Sequence, residues 1–349
     1  MQSISSDTSN KLANMSFICA LLVVVIHTWE PAASSNLAAK GLWRLLCIRG
    51  IAVPCFFVVS GYLMAGHFHE LDWWKSALRK RLSSLVVPCL LWSGLWLLYG
   101  VAVACVGNLM HARPISEGIS LFFNFNVLLR FFAVYPLDHP YLPTLWYVRA
   151  LLIFCFVSPL LYRLIRKNYR FVLLLTFLFW SAKSTLRDDH GTMLYFFYNF
   201  LGLGWIFFYV IGIVWRMGYI SLDEIPKPRL CALLGYILLL SSVIIHPNHA
   251  LPKVICYFAD KLGKPLFICG IWAVIPANQW KKSLTSSAFG IYLIHWFVMD
   301  AYSRLFYRNA GGVVELLARA MTGIAVSLLV IMLLRRYSPR IAKLAFGGR

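Results

Sequence analysis

The stretch Phe17–Pro31, FICALLVVVIHTWEP, decides the fold class. Its first half carries no charge and lacks the apolar–polar alternation of a strand, so it reads as a helix in hydrocarbon. His27 then appears near the end of the run, with Glu30 three residues later and Pro31 helping to stop the helix. Ionisable side chains are costly in lipid and need a reason to be there. At this spacing His27 and Glu30 share a helix face. A carboxylate so placed can hold one imidazole nitrogen and raise the basicity of the other, as in a histidine–carboxylate general base. The same spacing also suits an interfacial histidine beside a solvated glutamate.

The whole chain repeats this pattern. Of its 349 residues 60% are hydrophobic and 13% charged, where a soluble domain carries about 25% charged residues. Mean hydropathy is +0.71. Long unalternated apolar runs exclude a barrel and predict an all-α polytopic membrane protein. Roughly ten segments have membrane length: 13–29, 43–65, 84–107, 144–165, 171–187, 194–215, 229–246, 262–277, 287–305 and 313–334. The apolar stretch 119–135 is interrupted by Asn124, Asn126 and Arg130, and is expected to be interfacial or re-entrant. This divides the chain into a cytoplasmic tail (1–12), one membrane domain (13–334) and a basic cytoplasmic tail (335–349).

Charge supports the count. Lys75, Arg79, Lys80 and Arg81, then Arg163, Arg166, Lys167 and Arg170, then Lys281 and Lys282, all fall on loops of one side. That is the positive-inside pattern, with both termini cytoplasmic. The net charge of +20 is spread in these short clusters, so a nucleic-acid partner is not expected. The polar start, MQSISSDTSNK, predicts no secretory signal peptide. The nine cysteines lie mostly inside apolar runs and form no CxxC pair, so neither a disulfide framework nor a metal site is expected.

Several further residues carry chemistry. Arg49 sits in the apolar run RLLCIRGIAVPCFFVVSGYLM, and either holds an anion or snorkels to the outer interface. Arg79 and Arg81 belong to a cluster that marks topology and also suits a phosphate-bearing cytoplasmic cosubstrate. Trp146, Tyr147 and Arg149 stand at the outer start of the fourth segment, where aromatics also form interface belts. Tyr292 and His295 lie one turn apart, and for His295 alone a packing role is the default.

Taken in order, the His27 helix, VPCFFVVSGYLM, LRKRLSSLVVP, LPTLWYVRALLIF and SAFGIYLIHWF resemble the acyltransferase family 3 membrane proteins over nearly the whole chain. The resemblance implies a bacterial cell-membrane enzyme, an O-acetyltransferase. It would move an acyl group, usually acetyl from cytoplasmic acetyl-CoA, to a hydroxyl of an envelope carbohydrate or lipid-linked glycan. The resemblance maps the family's histidine onto His27. The residues' own chemistry then predicts His27 as the base, Glu30 as its partner and Arg149 or Arg49 as the stabiliser of the developing oxyanion. The resemblance puts Arg79 and Arg81 at the donor, to which the anion-holding reading of Arg49 adds a third cation, and Trp146, Tyr147, Tyr292 and His295 at the substrate. One departure stands out. The family's basic residue eleven positions before the histidine is Ser16 here, with Lys11 the nearest cation. Ten helices with buried Arg and His also suit a transporter or a flippase of sugar-linked substrates, and a catalytically silent sensor is a third reading.

Overall fold

Helices form because hydrocarbon leaves backbone groups no partners but each other. The computed structural model describes residues 4–28, 36–47, 50–68, 73–111, 113–120, 122, 142–186, 192–244, 250–306 and 312–348. No strand occurs among them. Glu30, Arg49 and nearly all of the 119–135 segment lie outside the described residues. Among the described residues four spans are long and apolar enough to cross a membrane: Ser6–Ile26, Trp73–Met110, Pro143–Ala182 and Val313–Tyr337. A fifth is the pair Met193–Phe200 and Leu203–Arg216, bent by 50°.

Helix α1 (Ser6–Ile26) starts seven residues before the apolar run, because Ser5 Oγ caps it by accepting from the Thr8 N–H at 3.2 Å. Its polar first turns are clasped from outside. Asn10 donates to the Ala277 carbonyl, and Asn14 donates to those of Pro276 and Asn278, each at 3.0 Å. "Lower" below means the end of the bundle where α1 starts, and "upper" the end where it stops.

The 43–65 segment is not one helix. It divides into α2 (Leu37–Cys47) and α3 (Ala52–Ala65), with Gly50 between them at φ 71°, a left-handed conformation that stops helices. Helix α4 (Trp73–Arg81) runs through a π-helical turn (Leu82–Val86) into α5 (Val87–Met110). Pro88 explains the widened turn, since it has no N–H to give the carbonyl four residues back and its ring crowds that carbonyl. A short α6 (Ile115–Ser120) follows.

Helix α7 (Trp146–Leu186), entered through a 3-10 turn (Pro143–Leu145), is broken at Asn168, where φ is −158° and ψ 90°. The Asn168 side chain accepts from the Phe171 N–H at 3.0 Å and caps the second arm. Phe154 and Trp180 would be about 39 Å apart on one straight helix. Instead Phe154 packs on Tyr209 and Trp180 on Phe208, with ring centres 5.3 and 4.8 Å apart, so the chain turns back at the break. These two arms correspond to the segments 144–165 and 171–187.

After α8 (Met193–Phe200) comes α9 (Ile206–Arg216), which packs on α3 through reciprocal glycines. A Cβ on Gly61 would stand 2.0 Å from the Tyr209 carbonyl oxygen, and one on Gly212 2.0 Å from that of Val58. Small residues let backbones approach this closely. Helices α10 (Pro228–Ile244) and α11 (Ala250–Val274) form a hairpin with close contacts at Gly235 and Gly270. A short α12 (Lys282–Thr285), then α13 (Ala288–Phe306) and α14 (Val313–Tyr337), complete the bundle. The basic tail is itself structured as α15 (Pro339–Phe346), which docks on α5 as Trp92 Nε1 donates to the Ala345 carbonyl at 2.9 Å. Three carboxylates on these helices are paired with a cation one turn on, as lipid favours: Asp260 with Lys264 at 2.8 Å, Asp300 with Arg304 at 2.6 Å and Glu315 with Arg319 at 2.8 Å.

The glycine contact makes a quantitative expectation. Gly61→Ala should lower stability in detergent by about 1–3 kcal/mol through overpacking. Gly94→Ala, where a Cβ meets nothing within 4 Å, should leave it unchanged or raise it by up to about 1 kcal/mol through helix propensity. Thermal unfolding of the two variants side by side checks this, and equal effects would contradict it.

Candidate active site

Helices α1 and α13 lie side by side and run the same way, since α1 meets residues 276–278 below and His295 above. Between them, α3 and α7 leave a cavity of about 270 Å³. Ser16 on α1, Ser60 on α3, Arg81 at the end of α4, Leu85 in the π-turn, Tyr147 on α7 and Tyr292 on α13 are among its walls. Arg81 marks the lower end. Among the described residues neither Arg79 nor Arg81 has a carboxylate partner. Arg81 therefore offers uncompensated positive charge to the cavity, while Arg79 is exposed outside it.

The upper end is closed by two tyrosines. Tyr147 Oη lies 3.0 Å from Ser60 Oγ, and Tyr292 Oη donates to the Thr144 carbonyl. Their rings meet edge to face at 5.7 Å. One turn above Tyr292 comes His295, whose ring centre is 6.2 Å from that of Tyr292. The His27 ring stacks on His295 at 5.4 Å and meets the edge of Trp296 at 4.8 Å.

The two histidines differ in access and in bonding. His27 ends α1 and is half-buried, whereas His295 is fully buried. His295 Nδ1 lies 3.0 Å from the Ile291 carbonyl oxygen. A carbonyl only accepts, so Nδ1 carries the proton and Nε2 presents a lone pair. That Nε2 has no hydrogen-bond partner among the described residues, and nor does the buried Thr144 Oγ1. Buried polar atoms are nearly always satisfied. His295 Nε2 and Thr144 Oγ1 are thus two unmet hydrogen-bonding atoms close to Tyr292.

Residues 14–336 match the protein-family model for the acyltransferase domain, Acyl_transf_3. The chain belongs to acyltransferase family 3. Searches of curated proteins and of solved structures return no match. As a family 3 acyltransferase it is a transferase that takes an acyl group from a donor to an acceptor. Its long apolar helices make it a multi-pass membrane protein.

Against that chemistry the sequence-derived residues sort into two sets. Tyr147, Tyr292, Arg81, His27 and His295 gather at the cavity or directly above it. Trp146 and Arg149 share another face of α7, where Trp146 packs on Trp205 at 5.5 Å and the Arg149 guanidinium lies over the Phe200 ring at 5.1 Å. At the position where the family carries a base, Ser16 faces the cavity and its hydroxyl is spent on the Leu12 carbonyl at 2.8 Å. Lys11 turns elsewhere, to Asp223 at 3.9 Å and the Trp272 ring at 5.1 Å. The acyltransferase's cavity thus draws its charge from Arg81. Ser60 and Thr144 were not singled out from the sequence. A hydroxyl inside an otherwise apolar helix is the signal that points to Ser60.

The orphaned nitrogen has a consequence for stability. His295→Phe keeps a ring and deletes an unsatisfied buried acceptor, so the unfolding temperature should hold or rise, with a change within about 1 kcal/mol. Thermal unfolding in detergent measures it. A loss of about 3 kcal/mol or more would mean that Nε2 is bonded in the folded protein.

Proposed function

We propose that this acyltransferase moves an acyl group, acetyl foremost, from acyl-CoA on the cytoplasmic side to a hydroxyl of an envelope carbohydrate or lipid-linked glycan on the far side of the cell membrane. In this reading about ten segments cross the bilayer, the lower end of the bundle is cytoplasmic, and so are both termini. The observation that carries it is the vertical order of the site. Uncompensated Arg81 stands at the lower mouth, a largely apolar cavity lies above it, and the histidine pair waits beyond the tyrosines.

The physical logic follows from solubility. CoA bears phosphates that cannot enter hydrocarbon, so Arg81, with the exposed Arg79 beside it, holds them at the mouth. The long uncharged arm of the donor fits a cavity walled by Phe56, Val59, Leu63 and Leu85 with a few hydroxyls. His27 takes the proton from the acceptor hydroxyl as its oxygen attacks the thioester carbonyl. The lone pair of His295 Nε2 accepts a hydrogen bond from the acceptor and keeps it beside His27. As the carbon–sulfur bond breaks, the proton on His27 passes to the leaving thiolate. Glu30 is the proposed orienter of His27, and Arg49 or Arg149 the proposed stabiliser of the oxyanion. Arg149 would reach the carbonyl only by leaving Phe200. Transfer is direct, from a complex of donor and acceptor.

Two variants test the assignment together. His27→Ala should lower acyl transfer by about 10²–10⁴-fold, the usual worth of a general base, while CoA binding is kept. Arg81→Ala should weaken CoA binding by about tenfold or more, the loss of a charged hydrogen bond. Envelope-glycan mass spectrometry reads the first and calorimetry in detergent the second. A wild-type protein that binds no CoA would favour a transporter, and full transfer by His27→Ala would remove the histidine from the chemistry.

A further inference from the structure

Among the described residues an aromatic wall stands between the donor cavity and the histidine pair. Neither His27 nor His295 lines the cavity, yet the ring of Tyr292 does, and it also lies 6.2 Å from the His295 ring. Tyr147 closes the rest of the upper end, wedged against Phe57 at 4.7 Å and Phe56 at 5.8 Å. Phe289 stacks behind Tyr292 at 6.2 Å. Each hydroxyl is tied to a different element. Tyr147 Oη on α7 bonds Ser60 Oγ on α3 at 3.0 Å and reaches the Phe56 carbonyl at 3.4 Å. Tyr292 Oη on α13 bonds the Thr144 carbonyl in the turn before α7. The wall is therefore aromatic, buried and hydrogen-bonded across three elements.

We propose that Tyr147 and Tyr292, held by Ser60 and Thr144, are specificity-determining residues: a partition that keeps the donor thioester from the histidine pair until an acceptor is in place, so that the acyl group goes to a hydroxyl and not to water. The inference rests on the reading of the cavity as the donor site. Its chemical need is direct. A base strong enough to activate a sugar hydroxyl also activates water. Attack by water on the acyl carbon breaks the carbon–sulfur bond and yields a free thiol, a carboxylate and a proton, which wastes the donor. Transfer breaks the acceptor O–H, forms the ester bond and returns the proton to the thiolate, so nothing is lost. Where donor and base lie in one open chamber, only the binding and orientation of the acceptor favour transfer over hydrolysis. Here the partition adds a wall, which opens when the acceptor's hydroxyls exchange for its two hydrogen bonds.

The alternative is that the two tyrosines only pack the bundle, and hydrolysis separates these roles. Tyr147→Phe keeps the ring and removes the tie to Ser60. Ser60→Ala removes the same tie from α3, so that one variant serves if the other folds poorly. Purified full-length protein in detergent is given acetyl-CoA with no acceptor, and free thiol is followed with time. The wild type should release thiol slowly. Tyr147→Phe and Ser60→Ala should each release it at least tenfold faster while still binding acetyl-CoA, whose phosphates Arg81 holds. Adding His27→Ala to either should return the rate to the wild-type level, because the leak runs through the histidine pair. A packing defect would not be reversed by a second substitution elsewhere. If acetyl-CoA binds wild type and variants alike and thiol release does not change, the partition is overturned and the donor site stands. If acetyl-CoA binds none of them, the donor reading itself fails and the partition with it.

Discussion

The parallel docking of α1 on α13 is the constraint from which the site follows. At the lower end Asn10 and Asn14 clasp three backbone carbonyls of residues 276–278, and at the upper end His27 stacks on His295. Between these two attachments the helices run together for several turns. Ser16 is thereby turned to the cavity and His27 held about 16 Å above it. Buried amide–carbonyl bonds are costly to leave unmade in a low-dielectric interior, so the clasp fixes the register of α1. A slip of one residue would rotate His27 by about 100° away from His295.

The other walls obey the same economy of polar groups. Helix α3 is drawn onto α9 by the reciprocal glycines, which brings Ser60 within reach of Tyr147. Pro88 widens the helix below α5 into a π-turn, and that turn presents Leu85 to the cavity directly after Arg81. Helix α15 braces the same turn. Gly347, at φ 66°, packs so closely on the Ser84 carbonyl that a Cβ would stand 2.2 Å from it. Positive charge stays at the lower mouth and the imidazoles near the top, with apolar residues and a few hydroxyls between. The proposed transfer across a bilayer calls for that separation, because it takes the donor from one side and the acceptor from the other.

Much of this was legible in the sequence. The apolar runs announced an all-helical membrane protein, and His27 stood out as an ionisable residue inside one of them, while Arg81 stood in a basic cluster and Tyr147, Tyr292 and His295 drew their weight from the family resemblance. What one-dimensional spacing could not supply was the facing of the helices. Trp146 and Arg149 lie within two residues of Tyr147, yet 100° per residue puts them on another face of α7, toward Trp205 and Phe200. The His27–His295 stack joins the two ends of the chain, and no local pattern encodes it. The break at Gly50 was hidden because a single glycine between Arg49 and Ile51 is equally compatible with an unbroken apolar segment. The C-terminal tail read as a solvated basic segment because Arg and Lys alternate there with the Ala342, Ala345 and Phe346 that pack inward.

Sidedness is the centre of this account, and transfer across a sealed membrane measures it most directly. The protein would be reconstituted in vesicles, with acetyl-labelled acetyl-CoA added only to the side that carries Arg81 and a glycan hydroxyl acceptor trapped only on the other. The account predicts that label appears on the trapped acceptor while CoA stays outside, and that His27→Ala abolishes it. Label confined to acceptors on the donor's own side would contradict it.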